Sequence, residues 1–216
     1  MDQAGRRATA ASTGRTKRPQ SRAAWGSISR ELVIDAAIRA VNEGRYEQMT
    51  IRSLAADLGV GAMSLYRHVR DKDDLLVEVT NRLLASTWKP RARRNDWQAW
   101  SAEAAERLRE LLVKQPGALH VYLRRPVVSP VAIARMDAML TVLRDAGFDE
   151  LMARRAYGAI QTYTIGFAAL QASRDKSATN DEDAMVKELA KYTTPHQFKE
   201  GLEFLLQGIA KSLDHP

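Results

Sequence analysis

The sequence lacks several residue types and patterns, and each absence narrows what the chain can be. It contains no cysteine, which excludes disulfide bonds and thiolate metal sites. Only seven of its 216 residues are proline, and no run of alternating β-branched residues is long enough to predict a sheet. The four histidines show no His-Glu-x-x-His spacing, and the chain has neither a glycine-rich phosphate loop nor a Gly-x-Ser-x-Gly elbow. These absences predict a helical protein and argue against an enzyme.

Apolar segments that could cross a membrane are also missing. Residues 156–173 carry no charge, but Gln161, Thr162, Thr164, Gln171 and two glycines interrupt them. This composition suits a helix buried at a subunit interface better than a membrane span. Because no secretory signal segment follows the N-terminus, we expect a cytoplasmic protein.

Positive charge is concentrated near the N-terminus. The chain carries 33 Lys and Arg against 26 Asp and Glu, a net charge of +7. Residues 1–27 hold six of these basic residues and one acid, Asp2, and their Ala-, Arg- and Ser-rich composition predicts disorder. This extension is either a solvated leader or an arm that contacts DNA phosphates or the minor groove. We predict that a DNA-binding domain follows over residues 28–88 and a second helical domain over 95–213, joined by the polar linker KPRARRN at 89–95.

The segment from Thr50 to Lys72, TIRSLAADLGVGAMSLYRHVRDK, has the pattern of two short helices joined by a tight turn. Thr50 can cap the first helix, and Gly59 permits the positive φ of a sharp turn. Leu54 and Leu65 lie on an apolar seam, whereas residues 61, 62, 64, 67 and 68 face outward. The pattern predicts a helix-turn-helix with helices near 51–58 and 61–68, the second of which enters the DNA major groove.

Helices are also predicted on both sides of this unit. Ser29 should cap a first helix that uses Leu32 among its packing residues and ends at Gly44. Asp71 should start a longer helix that reaches about residue 87, with Asp74 in an arrangement similar to a capping box. The predicted N-terminal domain therefore has three helices and a fourth that leads into the rest of the chain.

With these flanks, the segment from Ser29 to Leu84 resembles the DNA-binding domain of the TetR family of transcriptional regulators, most densely over LGVGAMSLYRHVRDKDDLL. The resemblance implies a homodimer that reads near-palindromic operator DNA with two recognition helices about 34–36 Å apart. It also implies phosphate contacts by Tyr66, His68 and Lys72. The candidate DNA-contacting residues are Thr50, Arg52, Gly61, Ala62, Met63, Ser64, Tyr66, Arg67, His68 and Lys72.

The second region also predicts helices. One helix, with Ile133 on its inner side, should end at Gly147. The next should run from Asp149 to about Ser173, before a mobile polar loop, SRDKSATNDED. The last helix, which follows Pro195, has a broad apolar face that requires a partner, and oligomers are usually two-fold symmetric.

The pieces LRDAGF, YTIGFAALQ and FKEGLEFLLQGI are similar to the C-terminal ligand-binding and dimerisation domain of the tetracycline-repressor type. This resemblance implies a four-helix dimer interface and a pocket for a small-molecule effector that changes the spacing of the recognition helices. The candidate ligand-contacting residues are Trp100, His120, Tyr122, Met136, Met139, Gln161, Tyr163 and Phe167. The candidate dimerisation residues are Tyr157, Ile165, Ala169, Phe198, Leu202, Leu205, Leu206 and Ile209.

No metal or other cofactor is predicted. Tetracycline repressors bind their drug with magnesium, but an alignment on Arg125-Pro126 puts Val121 at the position of the metal-binding histidine and Leu170 at that of the metal-binding acid. The effector is therefore open. A repressor is favoured because a bound dimer can block polymerase; the alternatives are an activator, or a helix-turn-helix protein that acts through a protein partner without an inducer.

Overall fold

The computed structural model describes residues 28–87, 95–124, 129–180 and 184–213, and all the regular elements in these ranges are helices. The N-terminal helices are α1 (Arg30–Asn42), α2 (Ile51–Asp57), α3 (Ala62–Tyr66) and α4 (Lys72–Thr87). The following helices are α5 (Trp97–Lys114), α6 (Pro116–Arg124), α7 (Pro130–Asp145), α8 (Glu150–Asn180), α9 (Ala184–Ala190) and α10 (Pro195–Ala210), with a 3-10 turn at Lys191–Thr193. The predicted all-α fold with an N-terminal helix-turn-helix is confirmed. The predictions for the extension over 1–27 and for the linker up to residue 94 lie outside the described residues, as does the pair Arg125-Pro126 used for the alignment.

Glycines end three of the helices at the predicted positions. Gly44, Gly59 and Gly147 have φ values of 73°, 69° and 102°. In each case the amide of the next residue donates to the carbonyl five positions earlier, at 2.9, 2.9 and 3.2 Å. This pairing satisfies carbonyls that would otherwise lack a partner at the helix end, and it requires a residue that tolerates positive φ.

The N-terminal helices enclose a small apolar core. Val33, Ala37, Leu54, Leu65 and Leu75 are each 0% exposed and come from α1, α2, α3 and α4. This core also includes a residue of α6, so the DNA-binding domain packs directly against the second region. The prediction for Leu32 was wrong: it lies on the outer side of α1 and is 37% exposed, because the buried positions of that helix are 33, 34, 36, 37, 40 and 41.

In the second region, α8 packs against α5, α7 and α10. A polar pair is part of this packing. Arg109 on α5 is buried and donates to Oε1 of Gln171 on α8 at 2.8 Å, and its guanidinium lies 5.2 Å from the ring centroid of Phe198 on α10. Because a buried charge is costly unless it finds such contacts, this arrangement ties the three helices together.

The predicted mobile loop after Ser173 was wrong over its first part, because α8 continues as a helix to Asn180. Residues 174–180 contain no glycine or proline to end the helix. Arg174 donates to the carbonyl of Leu189 at 3.2 Å, and Lys176 forms an ion pair with Glu47 at 2.7 Å. The end of α8 therefore reaches back to the DNA-binding domain, which it contacts through Lys176 and Glu47.

Candidate nucleic-acid interface and ligand cavity

Local structure shapes the α2–α3 unit at two points, the start of α2 and the turn between the two helices. At the start of α2, the Ser53 amide donates to Oγ1 of Thr50 at 3.0 Å, and the Thr50 amide donates to Oγ of Ser53 at 2.9 Å. This reciprocal capping satisfies two amide groups that have no partner within the helix. Gly59 then turns the chain so that α3 packs on α2. The helix α3 covers only residues 62–66, shorter than the predicted 61–68.

The exposed side of α3 has no packing role within the protomer. Leu65 is 0% exposed and anchors the helix, whereas Met63 is 77% and Tyr66 47% exposed, and Arg67 is exposed beside them. Residues three and four apart share one helix face, so Met63, Tyr66 and Arg67 point to the same side. Gly61 precedes the helix with φ −74° and has no heavy atom within 4 Å of the position that a Cβ would take.

Other candidate DNA-contacting residues have structural contacts as well. Lys72 donates from Nζ to the carbonyl of Tyr46 at 2.9 Å and lies 4.7 Å from the centroid of its ring, so it joins the start of α4 to the turn before α2. The carbonyl of His68 accepts from Arg30 at 2.7 Å, which fixes the chain after α3 to α1. Arg52 is exposed on α2. Lys72 is therefore half-buried and has partners within the protein.

A cavity of about 660 Å³ lies among α5, α6, α7 and α8. Its size falls within the usual range for small-molecule sites. Four of the eight candidate ligand-contacting residues line it: Tyr122, Met136, Met139 and Gln161. Two residues that were assigned to the dimer interface, Tyr157 and Ile165, line it as well.

The other four candidate ligand residues lie outside this cavity. Trp100 is 3% exposed within the protomer core, and Tyr163 and Phe167 pack on Phe198 of α10, with ring centroids 5.3 and 5.2 Å from it. The Tyr163 hydroxyl donates to the Phe198 carbonyl at 3.0 Å. His120 faces α4, with Nε2 3.7 Å from Oδ1 of Asp73. Position on an apolar stripe does not identify the residues that line the cavity, because one helix presents apolar residues to two different neighbours.

Sequence reasoning missed a charged group that lines the cavity, the guanidinium of Arg135. Its Nη1 donates to the Tyr122 hydroxyl at 3.3 Å. Burial lowers the pKa of Arg135, and burial also raises the pKa values of the Tyr122 and Tyr157 hydroxyls. A signal existed in the sequence, since Arg135 stands four residues before Met139 and therefore shares its inward face on α7.

Most of the candidate dimerisation residues are used within the protomer. Phe198, Leu202 and Leu206 are 0%, 2% and 4% exposed in the core, so they offer no surface to a partner, and the interface prediction for them was wrong. Leu205, Ile209 and Ala169 are half-buried against the core. The exposed large side chains on the outer faces of α8 and α10 are different ones, Leu151, Leu170 and Phe204, which is 71% exposed.

The cavity wall and the DNA-binding domain meet where α6 crosses α4. Gly117, near the start of α6, is so close to α4 that an added Cβ would lie 3.0 Å from side-chain atoms of both Leu76 and Tyr46. The Tyr46 ring also lies 6.2 Å from that of His120 and accepts the Lys72 ammonium on its face. A shift of α6 would therefore reach α4 and the turn before α2 through direct contacts.

Within the described ranges, no group of three or more His, Cys, Asp or Glu side chains is arranged to hold a metal ion. In the same part of the chain, no helix has both the length and the apolar character needed to cross a membrane.

The fold and the two sites define a helix-turn-helix regulator with a separate helical domain around a cavity. Comparison with protein families gives the same class: residues 33–79 match the bacterial regulatory proteins of the tetR family, and residues 89–213 match the tetracyclin repressor-like C-terminal domain. The chain belongs to the TetR family of transcriptional regulators.

Individual relatives agree with this assignment. The tetracycline repressor protein class C of Escherichia coli is 31% identical over 186 residues, which cover 84% of this chain and 83% of the relative. The transcriptional repressor DrrR1 of Streptomyces coeruleorubidus is 31% identical over 72% of this chain, which spans only 58% of the relative. A solved TetR variant from Acinetobacter baumannii AYE in complex with minocycline superposes with a TM-score of 0.71 at 23% identity, covering 86% of this chain and 98% of that one.

Proposed function

We propose that this chain is a repressor that binds a near-palindromic operator as a homodimer and is released by a small-molecule effector. The observation that carries the proposal is the outer side of α3, where Met63, Tyr66 and Arg67 are exposed while Leu65 holds the helix in place. A short, anchored helix with an unused outer face, preceded by a capped helix and a tight turn, fits the major groove. The two relatives described above are both named as repressors. A bacterial regulator that binds operator DNA acts in the cytoplasm, where the chromosome lies, and this is the location we propose.

Roles on DNA follow from the chemistry and exposure of each residue. Ala62, Met63 and Ser64 lie early on α3 and form the candidate base-facing set, which suits apolar contacts to thymine methyl groups and one hydroxyl hydrogen bond. Arg52 and Tyr66 carry donors for phosphate oxygens at the two sides of this set. The remaining candidates, Thr50, Gly61, Arg67, His68 and Lys72, would support the approach of the backbone and further phosphate contacts.

The proposed dimer interface is the outer side of α8 and α10, revised from the residues predicted by periodicity. Leu170 on α8 and Phe204 on α10 are 52% and 71% exposed. Gly166 and Gly208 lie on the same two helices with open space where a Cβ would stand. Exposed apolar side chains beside small residues allow close helix packing, which a second copy of the chain would complete.

Effector control would act through the contact between α6 and α4. The cavity and this contact share the helix α6, because Tyr122 lines the cavity and Gly117 touches Leu76 of α4. A ligand that prefers one position of α6 would favour one spacing of the two recognition helices. Operator affinity and ligand affinity would then be coupled in both directions.

The proposal can be tested by selecting duplexes from a random DNA pool and measuring affinities for the enriched sequence. The expected winner is near-palindromic. Tyr66→Phe, which removes only a hydroxyl group, should weaken binding about equally for the winner and its single-base variants. Tyr192→Phe is the matched control, because Tyr192 is 57% exposed in the second region. Failure to enrich any sequence, or equal affinities for Tyr66→Phe and Tyr192→Phe, would contradict the proposed reading surface.

A further inference from the structure

The charged side chains that line the cavity all have the same sign. Among the described lining residues, Arg124 and Arg135 are the charged ones, and none is Asp, Glu or His. Arg124 is exposed, whereas Arg135 is less exposed on α7, where it donates to the Tyr122 hydroxyl, and Tyr157 lines the same cavity. The cavity therefore has a positive potential that favours negatively charged molecules.

The surroundings of Arg135 strengthen this preference. A hydrogen bond from a guanidinium to an anionic oxygen is stronger than one to a neutral hydroxyl, so an anion within reach of Arg135 is favoured. The Tyr122 and Tyr157 hydroxyls can each donate to an acidic oxygen, and the planar guanidinium can donate two parallel hydrogen bonds to a carboxylate. Arg135, Tyr122 and Tyr157 together form a cluster of donors in the wall of the cavity, which we call the donor cluster.

Apart from Gln161 and Thr164, the rest of the cavity is apolar. Its wall is formed by alanine, leucine, isoleucine and methionine side chains of α5, α7 and α8: Ala104, Ala105, Leu108, Met136, Met139 and Ile160. Leu123 and Ile133 also line it and are 58% and 45% exposed, so they mark its opening to solvent. A ligand with a large apolar part is needed to fill this space, since a small inorganic anion would leave most of the apolar wall uncovered.

We propose that the effector is an apolar molecule with one acidic group, a carboxylate or an ionised phenol, whose charge is held by Arg135 in the donor cluster. This proposal rests on the proposed effector function of the cavity. It specifies the ligand class by two features together: a ring system or chain that covers the methionine and leucine side chains, and a single negative charge at the arginine.

Two fluorescent probes that share a ring system and differ by one sulfonate group test the proposed ligand class. 8-Anilinonaphthalene-1-sulfonate is an apolar anion, and N-phenyl-1-naphthylamine is the same ring system without the sulfonate. Their affinities for the full-length protein would be measured by fluorescence titration without DNA. The variants are Arg135→Met, which removes the charge, Arg135→Lys, which keeps it, and Arg144→Met, which removes one exposed charge from the same helix. Circular dichroism would confirm that each variant is folded.

The wild type should bind the anionic probe more tightly than the neutral one. Arg135→Met should weaken the anionic probe by about tenfold or more, the usual effect of a lost charge-assisted hydrogen bond, and change the neutral probe by less than about twofold. Arg135→Lys should recover part of the anion affinity, and Arg144→Met should behave as the wild type. If Arg135→Met fails to fold, a wild-type preference for the anionic probe that falls in Arg135→Lys still supports the proposal, because the lysine loses the bidentate fork.

Equal weakening of both probes by Arg135→Met, or no preference for the anion in the wild type, would overturn the ligand class. These results would leave the proposed operator binding intact, because that is measured on DNA alone. If the anionic probe binds through Arg135 but does not release the operator at saturation, the ligand class stands and the effector role of the cavity is overturned.

Discussion

Gly59 and Gly61 flank the turn between α2 and α3, and we predict that alanine at these two positions has opposite consequences. Gly59 has φ +69°, a conformation that costs an L-residue about 1–2 kcal/mol. Gly61 has φ −74° and ψ 143°, an ordinary extended backbone with no heavy atom within 4 Å of a Cβ. The fold therefore requires glycine at position 59 but not at position 61.

The expected magnitudes follow from these conformations. Alanine reduces the entropy of the unfolded chain, which stabilises the protein by about 0.4–1 kcal/mol where the native φ and ψ suit it. Gly61→Ala should gain this amount, and Gly59→Ala should lose about 1 kcal/mol because strain outweighs the gain. Each kcal/mol corresponds to about 2–4 °C in Tm for a chain of this size. Operator affinity should change in the opposite direction to stability in Gly61→Ala, because a methyl group would hold the start of α3 away from the groove.

Thermal unfolding and operator binding by fluorescence anisotropy measure the two effects separately. Gly61→Ala should melt at or above the wild-type temperature and bind the operator about tenfold more weakly, a loss of about 1.4 kcal/mol. Gly59→Ala should melt several degrees lower. The reasoning is refuted if Gly61→Ala is as destabilised as Gly59→Ala, or if it binds the operator as the wild type does.

Four further substitutions test close contacts and charge. Gly201→Ala should lower Tm, because its Cβ would collide with the Tyr163 hydroxyl. Gly208→Ala on the same helix should preserve protomer stability and weaken the dimer in analytical ultracentrifugation. Equal dimerisation constants for wild type and Gly208→Ala would show that this face is not part of the interface. Gly117→Ala should change operator affinity because it displaces α6 from α4, while both naphthalene probes should still bind. An unchanged operator affinity would show that this contact does not couple the cavity to the DNA-binding helices. Burial alone would raise the pKa of Asp74, but hydrogen bonds from Arg70 outweigh it and hold that pKa below 3.8, so Asp74→Asn should lower stability by about 1 kcal/mol at neutral pH. That difference should shrink as pH falls through the folded-state pKa of Asp74, and a pH-independent difference in Tm would contradict the charge argument.

Local signals in the sequence predicted the helix ends and the turn well. The glycines at 44, 59 and 147 and the caps at Ser29 and Thr50 act through bonds within a few residues, so their outcome depends little on tertiary structure. The polar stretch 174–180 was read as a loop for lack of apolar periodicity. It is helical and makes contacts to distant residues, such as that of Lys176 with Glu47, which apolar periodicity does not reveal.

The two sites of the second region were harder to predict for a different reason. Periodicity identifies the apolar face of a helix but not which neighbour covers it. Phe198 was assigned to a dimer interface and packs within the protomer, whereas Tyr157 was assigned to that interface and lines the cavity. Periodicity does not single out Arg135 either, because a charged residue interrupts the apolar pattern of the helix face on which it lies.

Sequence-specific binding of DNA by a pair of α3 helices is the central property proposed for this protein. The most direct test is an anisotropy titration of the selected operator and of a scrambled duplex of the same composition, at several salt concentrations between about 50 and 200 mM. We predict saturation at two protomers per operator, a steep loss of affinity with salt, and binding to the scrambled duplex that is at least about a thousandfold weaker. Equal affinities for the two duplexes, or saturation at one protomer per operator, would contradict the account.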